Sequence, residues 1–150
     1  MACDVDDPNV QAFLKLIRYA EHYPDESDNW FDSLFGGGKF TGYQAHPNKA
    51  VHKWGKTSTA AGAYQILYAT WKEAKDKGTV ADFTPASQNK LAFSKLKSRG
   101  ALAAVCAGDV RGACGKLANE WTSLPGAKQT RMTMTIAEDA FVRYGGELKR

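Results

Sequence analysis

The chain has 150 residues and a formal net charge of +4, a length that suits one domain (residues 1–150) around one core. Ordinary apolar and charged fractions exclude a disordered chain. Basic residues are scattered rather than gathered into an arm, which excludes nucleic acid as the partner.

The first predicted helix is well marked. Asp7 is its cap, Pro8 suits the first helical position, and Asp4, Asp6 and Asp7 favour the positive end of its dipole. The periodic residues Val10, Phe13, Leu14, Ile17 and Ala20 follow, and the helix stops before Pro24. From Trp30 to Trp54, aromatic residues alternate with glycine-rich turns, which predicts a short hairpin or small sheet with Gly36 to Gly38 as its turn. His46-Pro47 and the basic stretch through His52 read as irregular surface loop. A second helix is expected from soon after Ser58 and Thr59, through Tyr64, Leu67 and Trp71, to Gly78. Thr84-Pro85 opens a third that ends at Gly100, and a short one spans Ala101 to Ala107. Asp109 caps a run from Val110 to Trp121, and a last helix from Met132 through Phe141 ends near Gly145-Gly146. The sum is an α+β fold: a mostly helical body with a small β element after the first helix.

The cysteines Cys3, Cys106 and Cys114 are odd in number and show no CxxC spacing. That argues against a disulfide framework or a zinc site and favours free thiols, with a short Cys106–Cys114 bridge as the alternative. There is no HExxH, P-loop or other metal or nucleotide signature, so no cofactor and no metal is expected. The opening residues are acidic and polar, unlike a secretory signal, and no apolar stretch reaches the roughly 18 residues of a membrane span. A product made and kept in a cytoplasm, with no stable membrane insertion, is the expectation.

One residue breaks the pattern of the first helix. At roughly 100° per residue with Phe13 as zero, Ile17 falls at about 40°, Val10 at about 60° and Leu14 at about 100°. Glu21 falls at about 80°, inside this apolar arc, whereas Gln11, Lys15 and Arg18 lie on the opposite face. Partial desolvation and the negative end of the helix dipole both keep such a carboxyl protonated. A protonated acid is what glycosidic cleavage needs, because the leaving oxygen must receive a proton. The competing reading is a glutamate in a fraying last turn that reaches water.

Residues 58–71 form a second cluster. Small residues before Tyr64 and Gln65 allow close approach to a ligand, and aromatic faces and amides are suited to holding sugars. The alternative is an ordinary helix start with Tyr64, Leu67 and Trp71 in the core.

With these residues in place, the chain resembles the phage lambda lysozyme (endolysin) family of lytic transglycosylases. The likeness is collinear: Glu21, Gly37-Gly38, Phe40-Thr41…Tyr43…His46-Pro47, Ser58-Thr59…Ala61-Gly62…Tyr64-Gln65, Asp82-Phe83…Pro85…Ser87-Gln88, Arg99 to Leu102, Gly108-Asp109…Arg111, and Trp121…Ser123 to Ala127. It departs from the family at Ala20 and His22, which flank the acid, and at Ala63.

The resemblance implies a lysozyme-like α+β domain with a sugar cleft between a helical body and a small β lobe. It implies Glu21 as catalytic acid and Asp32 in a supporting role at the substrate. The candidate cleft wall is Phe40, Tyr43, Ser58, Tyr64, Gln65, Trp121 and Tyr144. The implied substrate is bacterial peptidoglycan, cut between N-acetylmuramic acid and N-acetylglucosamine to leave 1,6-anhydro ends. A hydrolytic muramidase would instead pair two carboxyls, roughly 5–5.5 Å apart for retention or 6.5–9.5 Å for inversion. A non-catalytic wall-binding phage protein is the third reading. Asp25, Glu26 and Asp28 read as a solvated turn, and His22, His46 and His52 as neither catalytic nor ligating. The implied setting is a monomer that gathers in the host cytoplasm and reaches periplasmic peptidoglycan through a holin-type membrane-permeabilising protein. Carriage on the virion is the alternative.

Overall fold

The computed structural model describes residues 3–126 and 131–149; Ala127, the last residue of one family phrase, lies outside them. Its elements in chain order are α1 (Pro8–Glu21), β1 (Val51–Lys53), β2 (Lys56–Ser58), α2 (Tyr68–Asp76), α3 (Pro85–Ser98), α4 (Leu102–Cys106), α5 (Val110–Leu117) and α6 (Met134–Arg143). Helices dominate and the strands are few, so the fold is α+β as expected. The chain divides into two compact units: Met1–Glu26 with Ala92–Arg150, and Ser27–Leu91.

The first unit is built around α1. Asp7 accepts a hydrogen bond from the Asn9 backbone at 2.9 Å, and Pro8 occupies the first turn, where its missing N–H costs nothing. The buried face of α1 holds Val10, Phe13, Leu14, Leu16 and Ile17, because the helix packs against both α4 and α6. Phe13 meets Phe141 of α6 edge to face, with ring centroids 6.5 Å apart. Asp109 caps α5 through Gly112 at 2.9 Å and Thr133 caps α6 through Ile136 at 3.1 Å. The α5 helix ends at Leu117, short of the expected run to Trp121, and buried Met132 precedes α6 rather than joining it.

Asn9 ties distant parts of this unit together. Its side-chain amide donates to the Cys106 carbonyl at 3.0 Å and its oxygen accepts from the Glu147 backbone at 2.8 Å. Beside it, Lys149 donates to the Gly108 carbonyl at 2.9 Å. Gly108 has φ +75°, and a Cβ there would collide with the Glu147 carbonyl, so the close approach requires glycine.

The cysteine expectation is corrected here. Cys3 is disulfide-bonded to Cys106, and Cys114 is the free, buried thiol, its pKa pushed up to about 12 chiefly by burial. Cys3 and Cys106 are 103 positions apart, too far for any local spacing to signal the pair.

In the second unit β1 and β2 pair antiparallel, with Val51 opposite Ser58, His52 opposite Thr57 and Lys53 opposite Lys56. Trp54 and Gly55 form the two-residue turn with φ +55° and +72°, the left-handed geometry that matches strand twist. The sheet therefore lies in and beyond a stretch expected to be loop. The chain does reverse at Gly36 and Gly37, but around a single bridge between Ser33 and Lys39 rather than between strands.

The second helix is shorter than expected, because residues 62–65 form a turn closed by an antiparallel bridge between Ala61 and Ile66. Gly62 and Gln65 both adopt positive φ, which no helix tolerates, so apolar spacing there imitates a helix that the backbone does not make. Thr59 accepts a hydrogen bond from Tyr68 at 3.1 Å and so serves as a remote cap for α2. Gln88, fully buried, is the polar centre of the unit. It donates to the Phe31 and Phe83 carbonyls, each at 2.9 Å, and accepts from Ala63 at 3.0 Å. Its oxygen occupies the space a Cβ at Gly62 would need.

His46 is not on a surface loop. It is buried among Tyr68, Trp71 and Phe83. The Asn48 backbone donates to Nδ1 at 2.9 Å, so the proton sits on Nε2 and is donated to the Ile66 carbonyl at 2.7 Å. Burial lowers its pKa and keeps the ring neutral.

Candidate active site

Glu21 is the last residue of α1 and follows buried Ala20. Its carboxyl is surrounded by protein, yet the residue keeps part of its accessible surface. Burial raises its pKa from 4.5 to about 7, and the polar side chain of Ser123 opposes the rise. No charged group of the described residues is among the causes. A carboxyl that is half protonated near neutrality can give up a proton and take one back. Ser123 stands in the family phrase that runs from Trp121, but the sequence assigns it no role at the site.

The other candidates in this unit have different surroundings. Trp121 is buried, with almost no face available for stacking. Tyr144 packs edge-on against Tyr19 at 6.3 Å and beneath the Lys15 ammonium at 4.6 Å. Lys15 and Tyr19 lie at least about 120° around α1 from Glu21, so Tyr144 belongs to the far side of that helix. Its hydroxyl donates to Glu26 at 2.6 Å, and Arg143 pairs with the same carboxylate. These contacts, the Tyr144 hydrogen bond first, hold the Glu26 pKa below its usual value. Glu26 is thus a paired group rather than part of a merely solvated turn. A cavity of about 780 Å³ lies at the opposite end of α1, lined by Asp7, Asn9, Cys106 and Glu147 among others. The length of the helix, about 20 Å, separates it from Glu21.

In the second unit, Tyr64 is wholly buried and its hydroxyl donates to Asn89. Ser58 is buried and accepts from the Ala60 backbone at 3.0 Å. Neither is a sugar-facing residue in this conformation; both are framework. Gln65 is part-exposed and held in left-handed geometry at φ +52°. Its amide group donates to Ser33 at 3.1 Å and to the Gly62 carbonyl at 2.8 Å, which fixes the orientation of the side chain. Phe40 is part-exposed and meets Tyr43 edge-on at 5.9 Å. Asp32 forms an ion pair with Lys39 at 2.9 Å, and the Lys39 ammonium also lies 4.4 Å over the Trp30 ring.

A family model described as Endolysin matches residues 11–148. The endolysin of Escherichia phage lambda is 37% identical over 122 residues, which cover 78% of this chain and 77% of that protein. The endolysin of Escherichia phage P2 is 35% identical over 133 residues, covering 79% and 81%. A solved structure of bacteriophage lambda lysozyme complexed with a chitohexasaccharide superposes with a TM-score of 0.87 at 30% identity, over 98% of this chain and 99% of that one. A second lysozyme structure from bacteriophage lambda gives 0.85 at 28% identity, with the same coverage. The chain belongs to the endolysin family and has the lysozyme fold of its lambda relative.

Proposed function

We propose that this endolysin degrades bacterial peptidoglycan as a lytic transglycosylase, with Glu21 serving first as acid and then as base. The supporting observation is the position of Glu21: a carboxyl enclosed by protein, on a residue that keeps part of its surface, at the negative end of a helix. Family membership and the lysozyme fold support degradation of peptidoglycan for host lysis. A relative that was solved with a chitohexasaccharide supports a glycan of aminosugars as substrate.

The protonated Glu21 gives its proton to the oxygen that links N-acetylmuramic acid to the next N-acetylglucosamine. The C1–O bond breaks and positive charge develops at C1. The Glu21 carboxylate then removes the proton of the muramic 6-hydroxyl as that oxygen bonds to C1. A 1,6-anhydro ring results, Glu21 ends protonated, and no water is consumed. One carboxyl completes the cycle. A second carboxylate close by would raise the pKa of Glu21 by like charge, and burial accounts for the rise without one. Phe40, Tyr43 and Gln65 are the side chains of the second unit assigned to sugar contact, with Asp32 in a supporting place.

The same reading has the enzyme accumulate as a monomer in the host cytoplasm and depend on a holin-type protein for access to the wall. Mass spectrometry of fragments from digested walls tests the chemistry. Anhydro ends, lighter by one water than reducing ends, are expected. Reducing ends would make the enzyme a hydrolase, and an absence of soluble fragments would leave only wall binding.

A further inference from the structure

The final turn of a helix is where it frays, and the final turn of α1 carries Glu21. The backbone bonds that close it are long. His22 donates to the Tyr19 carbonyl at 3.2 Å and Tyr23 to the Ala20 carbonyl at 3.4 Å, lengths at which a hydrogen bond holds weakly. Support comes from far along the chain. Arg131, 108 positions later, donates from Nη2 to the Tyr23 carbonyl at 2.7 Å, and its guanidinium lies 5.8 Å from the centre of the Tyr23 ring. A hydrogen bond from a cation is roughly twice as strong as one between neutral groups. Tyr23 in turn packs on Tyr19, with ring centroids 5.4 Å apart. Arg131 therefore grips the chain just after Glu21 and, through the tyrosine pair, the helix just before it. Its own backbone is anchored, because Met132 beside it is buried and Thr133 caps α6. The Arg131 residue itself is exposed, so this contact is not a demand of the core.

We infer that Arg131 is a positioning residue: by holding the Tyr23 carbonyl it fixes the last turn of α1 and keeps the Glu21 carboxyl enclosed. The inference rests on the reading of Glu21 as the acid. Arg131 acts through the backbone and not through its charge. Besides the tyrosines, the charged or titratable side chains that reach this turn or the loop after it, among the described residues, are Arg18, His22, Asp25 and Glu26 along its own segment, and Arg131 and Arg143 from the segments packed on it. The α4 helix carries no charged residue. None of these groups is a cause of the raised pKa of Glu21; burial raises it and Ser123 opposes. The two modes of action have opposite signs. Removing a positive charge that acted directly would raise that pKa further. Loosening the turn admits water to the carboxyl and lowers it towards 4.5.

The test compares the parent with Arg131→Ala and Arg131→Lys by two readouts: carbon NMR titration of the Glu21 carboxyl, and kcat and KM on soluble peptidoglycan fragments across pH. In Arg131→Ala the NMR midpoint should fall from about 7 by roughly one unit, and the high-pH limb of kcat/KM should move down with it. A misplaced acid should also lower kcat roughly tenfold while KM holds. Arg131→Lys keeps a cationic donor on a long stem and should recover most of both changes. An unmoved or raised midpoint in Arg131→Ala overturns the inference, as does a lysine variant that recovers nothing. So does a raised KM with an unmoved limb, which would make Arg131 a substrate contact. Glu21→Gln separates the two levels. If that variant cleaves at the parent rate, the reading of Glu21 as the acid fails, while the NMR titration still judges Arg131.

Discussion

The Ser123 side chain acts on the carboxyl of Glu21 from a segment just after buried Trp121, 102 positions along the chain, and restrains the rise that burial imposes on its pKa. The proton of the acid is therefore held by two opposed influences, of which burial is the larger. Ser123→Ala removes the smaller one. The high-pH limb of the kcat/KM profile, which falls as Glu21 deprotonates near pH 7 in the parent, should move to higher pH in the variant. Turbidity clearing of bacterial walls across pH measures it, and an unmoved limb would remove Ser123 from the account.

Glu21→Gln should keep the fold and cut clearing by about 10²–10⁴-fold, the usual worth of a positioned general acid. It should also stabilise the protein in alkaline solution. The folded pKa of Glu21, about 7, lies above its ordinary 4.5. The favourable contribution of the protonated form is fully present below 4.5 and lost as pH rises to about 7. Above that, the parent carries a desolvated charge costing up to about 3 kcal/mol. Urea unfolding should thus show the variant ahead at pH 8 and level with the parent at pH 4.

Two glycines separate backbone strain from steric overlap. Gly62 and Gly78 have similar φ, +83° and +78°, but only at Gly62 would a Cβ meet the Gln88 amide and the Phe83 ring. Gly78→Ala should cost about 1 kcal/mol, the ordinary price of a left-handed alanine. Gly62→Ala should cost at least about 2 kcal/mol more, because Gln88 must give up hydrogen bonds inside the core. Thermal melts of the two variants side by side measure the difference.

The Cys3–Cys106 bond closes a loop of 103 positions. Chain entropy assigns such a crosslink roughly 3–5 kcal/mol. Melting should fall on adding a reductant, and Cys3→Ser should melt at the reduced value with or without it. In the native oxidised protein, thiol reagents should find no fast-reacting group, since Cys114 is buried.

The first helix could be read in the sequence because its signals are local: Asp7 and Pro8 at one end, apolar residues at helical period along it, and Glu21 out of place among them. The Cys3–Cys106 pair, the Ser123 contact and the aromatic cage around His46 depend on residues far apart in the chain, which no local pattern encodes. Residues 59–67 misled for a different reason. Their apolar spacing fits a helix, but Gly62 and Gln65 take left-handed conformations so that Gln88 can reach Ala63 and the Gln65 amide can reach Ser33. Tertiary hydrogen bonding overrode periodicity there. Tyr64 and Trp121, expected on the cleft wall, are both buried in the framework; burial, not residue type, separates the two roles.

The clasp at Asn9 has a consequence for the order in which the molecule is made. Helix α1 emerges from the ribosome early, but the backbone of Glu147 that Asn9 binds, the α6 helix that covers Phe13, and Ser123 at Glu21 are all translated much later. A nascent chain that has not yet reached Ser123 therefore carries an ordinary, hydrated glutamate at position 21. Its carboxyl is enclosed only after that far later segment has folded back beside the first helix.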